Sequence, residues 1–396
     1  MPLPTIKNLT LGTKKMTKST SKLDNNFELI EKKLLYPEGI NQKFDLWFDY
    51  VRRVPEDEKI FFTQNLAAMF KGGLSAARSL RTLALQAENP KFKRALFKIF
   101  RNVEKGEKIA DSMALFPKIF TPIFTNMIKA GESSGQLENV LRELTRQLKR
   151  SHDLKQKVKG ALMYPAAILI AMVAIGSGMI IFVIPKLTGI FTEMDVELPI
   201  ATRILIGLSS FVNNYIYIVA PTVIILVAGT IYFTRKGIGQ KIWHKIILSL
   251  PVVKTISQKI NLAKISRTLS SLLETDMPIV DSFNLTSNVI GNVYYKESLL
   301  EIAKNVEKGQ AVAAQMELYE KLYPPVIQQM VLVGEETGEI SSILSQLAEF
   351  YEDDVSQTMD SLPSLIEPIL IVALGAGVGG MAIAIILPMF SLSAAA

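Results

Sequence analysis

Apolar residues are arranged along this chain in two ways. In three places they run almost unbroken, over residues 163–184, 215–233 and 365–390, with no Lys, Arg or Asp inside. About 20 consecutive apolar residues cross a bilayer as a helix, so each run predicts a transmembrane helix. Elsewhere the apolar positions recur three and four residues apart. Phe61-Phe62-x-x-Asn65-Leu66-x-x-Met69-Phe70 and Leu269-x-x-Leu272-Leu273 are examples, and 137–148 and 340–350 continue the same period. That spacing puts one apolar stripe on a helix. No Val/Ile/Thr alternation bounded by turn signals accompanies it, so no sheet is expected.

Breakers divide the helical stretches. Lys71-Gly72-Gly73 closes one helix, and Glu274-Thr275-Asp276-Met277-Pro278 closes another, while Gly106 and Gly309 mark turns. The pattern predicts an all-α membrane protein: two repeated cytoplasmic antiparallel helical bundles plus three transmembrane helices. In order these are a basic, partly disordered arm over 1–57, helical domain 1 over 58–160 and the first span over 163–184. An outer loop over 185–214 and the second span over 215–233 follow, then helical domain 2 over 235–362 and the third span over 365–390.

Charge orients the spans. Lys149, Arg150, Lys155, Lys157 and Lys159 precede the first. Arg235, Lys236, Lys241, Lys245, Lys254 and Lys259 follow the second. Between them Glu193, Asp195 and Glu197 face only Lys186 and Arg203. Cytoplasmic flanks collect Lys and Arg, so the loop after the first span faces outward, the N-terminus is cytoplasmic and the C-terminus lies outside. The acids before the third span (Glu349, Glu352, Asp353, Asp354, Asp360) contribute little to orientation. The net charge of +7 and pI near 9.2 suit a membrane surface better than nucleic acid, for which no motif is present. Met1 to Thr20 has no apolar core, which predicts no cleavable signal peptide.

The strongest feature is an internal repeat. Asn102-Val103-Glu104-Lys105-Gly106 recurs as Asn305-Val306-Glu307-Lys308-Gly309, and Gly131-Glu132-Ser133-Ser134-Gly135 as Gly334-Glu335-Glu336-Thr337-Gly338. Both recur at an offset of 203 (305 minus 102; 334 minus 131), which also pairs Leu66 with Leu269, Pro122 with Pro325, Pro165 with Pro368 and Pro185 with Pro388. Each copy is one helical module followed by one span, in the same direction. The second span is the extra element that returns the chain, unlike an inverted transporter repeat.

Candidate chemistry is sparse. With no cysteine and two histidines, His152 and His244, thiolate catalysis and Cys-metal sites are excluded. No phosphate loop, metalloprotease or nucleophile-elbow motif occurs, and no catalytic residue, cofactor or metal is expected. The glycine run 375–380 lies in an apolar span without a preceding strand, so it is no dinucleotide site. Gly375 and Gly379 are one turn apart, as are Ala174 and Gly178, and permit close helix packing within the protein or with another protein's membrane helix. The paired Gly131-Glu132-x-x-Gly135 and Gly334-Glu335-x-x-Gly338 motifs read as helix–turn–helix joints. There the first glycine takes a conformation other residues resist, the second glycine does so too or starts the next helix, and the glutamate caps exposed amides or pairs with a base on a neighbouring helix. A partner contact or ion site is the functional alternative. Glu367, an acid beside Pro368 at a span entrance, is a functional candidate by its depth. The prolines at 165, 185, 368 and 388 bracket the spans as helix starts and exits.

These residues together resemble the type II secretion F (GspF/PilC) family of inner-membrane platform proteins. The carriers are Gly131-Glu132-x-x-Gly135-x-Leu137, Tyr164-Pro165, Val183-Ile184-Pro185 and Leu198-Pro199-x-x-Thr202-Arg203. In the second copy they are Gly334-Glu335-x-x-Gly338-x-Ile340, Glu367-Pro368 and Leu387-Pro388-Met389-Phe390. The resemblance covers residue 61 to the end. It implies a non-enzymatic scaffold in the bacterial inner membrane at the base of a type IV pilus or type II secretion pseudopilus. Its implied partners are a cytoplasmic assembly ATPase, pilin or pseudopilin subunits, other inner-membrane assembly proteins, lipid and further copies of itself. A transporter or channel subunit is the competing expectation; it calls for more spans and for polar groups inside them.

Overall fold

The computed structural model describes residues 53–193, 200–234 and 237–395; most of the N-terminal arm, residues 194–199 of the expected outer loop, the Arg235-Lys236 pair and Ala396 lie outside them. Every regular element among the described residues is helical. The first copy holds α1 (Glu56–Lys71), α2 (Ala76–Gln86), α3 (Pro90–Glu104), α4 (Ile109–Ala114), α5 (Pro122–Ser134) and α6 (Leu137–Gly178). A π-helical turn, Met179–Val183, leads into α7 (Ile184–Glu193). Then come α8 (Ile200–Asn214), α9 (Ile216–Thr234) and α10 (Gly237–Ile247). The second copy holds α11 (Pro251–Leu273), α12 (Ile279–Val289), α13 (Val293–Val306), α14 (Val312–Glu317), α15 (Pro325–Thr337) and α16 (Ile340–Ala395). The starts of α12 to α16 fall 203 residues after those of α2 to α6, so the sequence repeat is a structural one.

Local chemistry sets these boundaries. The side chain of Asn89 accepts from the Lys91 and Phe92 amides at the start of α3, followed at once by Pro90, and Asn292 accepts from Tyr294 at the start of α13. Each satisfies donors that a helix N-terminus leaves orphaned. After α1 the chain turns through Gly73 at φ 73°. The equivalent residue in the second copy is Asp276, the one non-glycine positive φ among the described residues, at 57°. Aspartate is among the few residues that tolerate that region, which is why the turn survives without glycine.

The described chain forms two compact units that cut across the repeat. One comprises 53–152 with Arg267–Thr286 and Ile340–Ser342. Its core centres on Phe62, Phe92 and Phe120, with ring centroids 5.5 to 6.1 Å apart, and extends to Leu272 at the end of α11. Hydrogen bonds fasten that borrowed segment: Ser271 Oγ donates to Glu143 (3.0 Å) and Ser341 Oγ to the Ser270 carbonyl (3.3 Å). Burial pushes the Glu274 carboxyl upward, and the Glu143 charge adds to the shift.

The other unit holds 153–266, 287–339 and 343–395 within the described residues, including the long apolar helices. Where the first copy stacks Phe92 on Phe120, this one stacks Tyr295 on Tyr323 edge-to-face at 5.8 Å. Both phenols are buried but partnered. Tyr295 donates to the Leu322 carbonyl (2.9 Å), and Tyr323 pairs with Ser298 Oγ (2.8 Å), as buried hydroxyls must. Burial holds both well above the ordinary phenol range. His244 Nδ1 accepts from the Val293 amide (3.2 Å) at the head of α13, and burial lowers its pKa, which keeps that nitrogen an acceptor.

Two expectations need correction. The prolines expected at span boundaries lie within helices: Pro165 inside α6, Pro368 and Pro388 inside α16, and Pro185 second in α7 directly after the π turn. Each helix runs unbroken from the module into the apolar segment, so no start signal is needed, and a proline there removes one hydrogen bond without ending the helix. The segment expected as an outer loop is also mostly helical, as α7 and α8.

Candidate functional site

The Gly-Glu motifs form the same joint twice. Glu132 sits near the end of α5 and accepts from the Ile109 amide (2.9 Å) and the Ala110 amide (3.2 Å) at the start of α4. Glu335, near the end of α15, accepts from Val312 (2.8 Å) and Ala313 (3.2 Å) at the start of α14. Neither short helix has a capping side chain of its own. The carboxylate supplies from 22 or 23 residues away what a neighbouring Ser or Asp usually supplies, with both oxygens used and a negative charge at the positive helix end.

The two glycines of each motif act differently from each other. Gly135 and Gly338 are the left-handed C-caps, at φ 73° and 75°. Gly131 is helical, which corrects the expectation that its conformation is the constraint. A Cβ there would come within 2.8 Å of Val140 Cγ2 and 3.2 Å of Leu137 Cα, so its role is to let α5 and α6 approach. Gly131→Ala is expected to cost about 2 kcal/mol in thermal unfolding of the full chain. Val140→Ala in the same chain should recover part of that loss, because the shortest contact is to Val140; no recovery would point to the Leu137 backbone instead.

A second site joins the membrane helices and went unnoticed in the sequence. In the π turn the Ile184 amide donates to Met179 O, five residues back. In that register the next bond would run from residue 185 to Ile180 O, but residue 185 is proline and has no N–H. Ser209 Oγ of α8 donates to Ile180 O instead, at 2.6 Å. In α16 the proline at 388 likewise leaves the carbonyl four residues back without its usual donor. That carbonyl belongs to Ala384, and Thr202 Oγ1 of α8 donates to it at 2.6 Å. Thr202 and Ser209 are buried and two turns apart, while Ile200, Ile204, Leu208 and Phe211 cover the opposite, exposed face of α8. The helix is thus a strap that supplies one hydroxyl to each proline-vacated carbonyl. The signal in the sequence was a pair of hydroxyl residues seven apart, Thr202 and Ser209, together with prolines at equivalent places of the repeat, 185 and 388.

Other candidates stay apart from both sites. Glu367 and Gly375 are exposed on α16, and Gly379 is partly so. A Cβ on either glycine, or on Gly178, would meet nothing within 4 Å, so these small residues make no close packing contact within the described chain. Among the described residues no cluster of three His, Cys, Asp or Glu could hold a metal ion. Three described helices, spanning Leu137–Lys186, Ile216–Thr234 and Ile340–Ala384, contain stretches long and apolar enough to cross a membrane, and at most 6% of each stretch is buried.

Comparison with known proteins converges on one family. The family model described as type II secretion system (T2SS), protein F matches residues 62–185 and again 265–388, two segments with the 203-residue offset of the repeat. The type IV pilus assembly protein PilC of Myxococcus xanthus is 32% identical over 336 residues, covering 85% of this chain and 80% of that protein. PilC of Pseudomonas aeruginosa is 29% identical over 86% of this chain and 91% of its own length. The type II secretion system protein F of Vibrio cholerae is 27% identical over 87% and 85%.

Proposed function

We propose that this chain, which belongs to the type II secretion system protein F family, is an inner-membrane platform on which a type IV pilus or a type II secretion pseudopilus is assembled. The observation that carries the reading is the doubled family module, each copy running without a break into an apolar helix long enough to span a bilayer. Such a helix couples a water-exposed bundle mechanically to the membrane interior. The platform needs no chemistry of its own if a cytoplasmic assembly ATPase supplies the energy. In this reading the modules and the N-terminus face the cytoplasm and the C-terminus lies outside, as the Lys and Arg flanks direct. Further copies of the chain and other assembly proteins complete the base. The exposed small-residue stripe at Gly375 and Gly379 offers a close-approach surface to the membrane helix of a pilin-like subunit.

Photo-crosslinking residues placed at 375 and 379, and on exposed positions of α5 and α15, test this in the native cell. The expected adducts are a pilin-like subunit from the membrane positions and the ATPase from the module positions. Loss of surface filaments or of secretion should accompany deletion of the chain. Adducts only to an unrelated permease, with filaments and secretion intact, would overturn the proposal.

A further inference from the structure

The strap helix α8 carries three parallel stripes, each recurring at steps of three and four residues and so keeping to one face. Thr202, Ile206, Ser209 and Asn213 form the inner stripe, buried or half-buried. Ile200, Ile204, Leu208 and Phe211, continued by Tyr215, form an apolar edge that is exposed along its whole length, Ile200 by 76% and Ile204 by 66%. The rings of Phe211 and Tyr215 lie 5.4 Å apart along it. Arg203, Gly207, Ser210 and Asn214 form a third stripe, a polar edge that is also exposed. Within it Ser210 Oγ donates to the Gly207 carbonyl (3.0 Å). A helix standing in water gains nothing from the apolar edge, and one standing upright in hydrocarbon gains nothing from the polar edge.

The two hydrogen bonds of the inner stripe set the depth of α8. Ser209 reaches Ile180 O, four residues inside the end of the apolar run over 163–184 (184 minus 180), or about 6 Å. Thr202 reaches Ala384 O, six residues inside the end of the run over 365–390 (390 minus 384), or about 9 Å. At the 203-residue offset Ala384 is the counterpart of Ile181, the neighbour of Ile180 (384 minus 203). The bonds therefore reach adjacent levels of two equivalent helices. Between them α8 advances seven residues, about 10 Å, which is about the separation of packed helix axes. A helix joining equal levels of two neighbouring spans runs across them.

We infer that α8 is an interfacial helix. It lies in the plane of the bilayer, in the leaflet where the first and third spans end, with its apolar edge on lipid acyl chains and its polar edge toward headgroups and water. Lipid is the occupant by depth and by continuity. The apolar face of an amphipathic interfacial helix rests about 5–10 Å into the headgroup and acyl boundary, the depth that the two hydrogen bonds give. The apolar edge also runs into the exposed apolar surface of the second span, where Tyr217 and Ile218 follow Tyr215. Phe211, Tyr215 and Tyr217 collect where an aromatic belt forms. The inference rests on the apolar helices crossing a bilayer and not on what the chain assembles.

The chain has no cysteine, so single cysteines can carry a nitroxide label without other changes. Ile204→Cys, Leu208→Cys and Phe211→Cys are made in the full chain and reconstituted in vesicles of phosphatidylglycerol and phosphatidylethanolamine. Oxygen should relax all three labels more strongly than a water-soluble nickel chelate does, and their depths should agree within about 3 Å, half a helix pitch. Ser210→Cys and Asn214→Cys should show the reverse order, as should Lys71→Cys on the first module. Should an apolar-edge variant fail to reconstitute, Ile200→Cys reads the same edge. Nickel access along the apolar edge would return α8 to water. Protection from both reagents would put a protein surface there, a second copy included. A change in depth of about 10 Å from residue 204 to residue 211 would stand α8 upright along the spans. Each of these three results would overturn the assignment. No pilin or ATPase is present in the vesicles, so such a failure leaves the platform reading untouched.

Discussion

Glu132→Ala is expected to release the start of α4, costing about 2 kcal/mol and speeding hydrogen exchange in that helix by about thirtyfold. The carboxylate makes two charge-assisted hydrogen bonds to amides that have no other cap, so its removal leaves both donors and the positive helix end without a partner. Glu335→Ala should do the same to α14, because the distances match within 0.1 Å. The cap is local, so each variant should show the change only in its own copy, and the double variant should show both without coupling. Glu132→Gln keeps one acceptor oxygen and loses the charge, so its effect should be intermediate. Exchange measured by mass spectrometry on the full chain in detergent reads all four variants. If Glu132→Ala left α4 protected, the cap would be incidental and a partner role for the motif would gain weight.

The capping geometry shows where sequence reasoning reaches its limit. Duplication and spacing located the joint and its glutamate, because a helix end needs an acceptor and the motif offers one. The amides it would cap were not legible. They lie 22 and 23 residues back, and only the packing of α5 against α4 brings them together. Gly131 was misread for a related reason. A glycine can be required by its own φ or by what a Cβ would strike, and the second depends on Val140, nine residues on across a turn. The apolar run over 215–233, by contrast, coincides with a helix of its own, α9 at Ile216–Thr234, because length and hydropathy are local quantities. The other two came out as parts of longer helices. A helix that leaves a bundle for the bilayer keeps its backbone hydrogen bonds and has no reason to stop at the boundary. The borrowed segment Arg267–Thr286 was likewise hidden, since the repeat assigns it to the second copy while its contacts place it with the first.

The strap helix makes the last prediction, and its logic can be tested by restoring what the prolines remove. Ser209→Ala and Thr202→Val each leave a carbonyl without its donor in apolar surroundings. Each should cost about 1 kcal/mol, the ordinary value for hydrogen bonds between membrane helices, and together about 2 kcal/mol. Thermal unfolding in detergent would register the loss. Pro185→Ala returns a backbone N–H at the position where the helical register expects one. In a Pro185→Ala background Ser209→Ala should therefore cost much less than in the parent, and Thr202→Val much less in a Pro388→Ala background. If the hydroxyl variants cost the same with and without the prolines, the serine and threonine serve some other contact. If the costs collapse as expected, proline and hydroxyl act as a unit: each proline opens one bond in its helix, and α8 closes both, tying the ends of two equivalent spans to one strap.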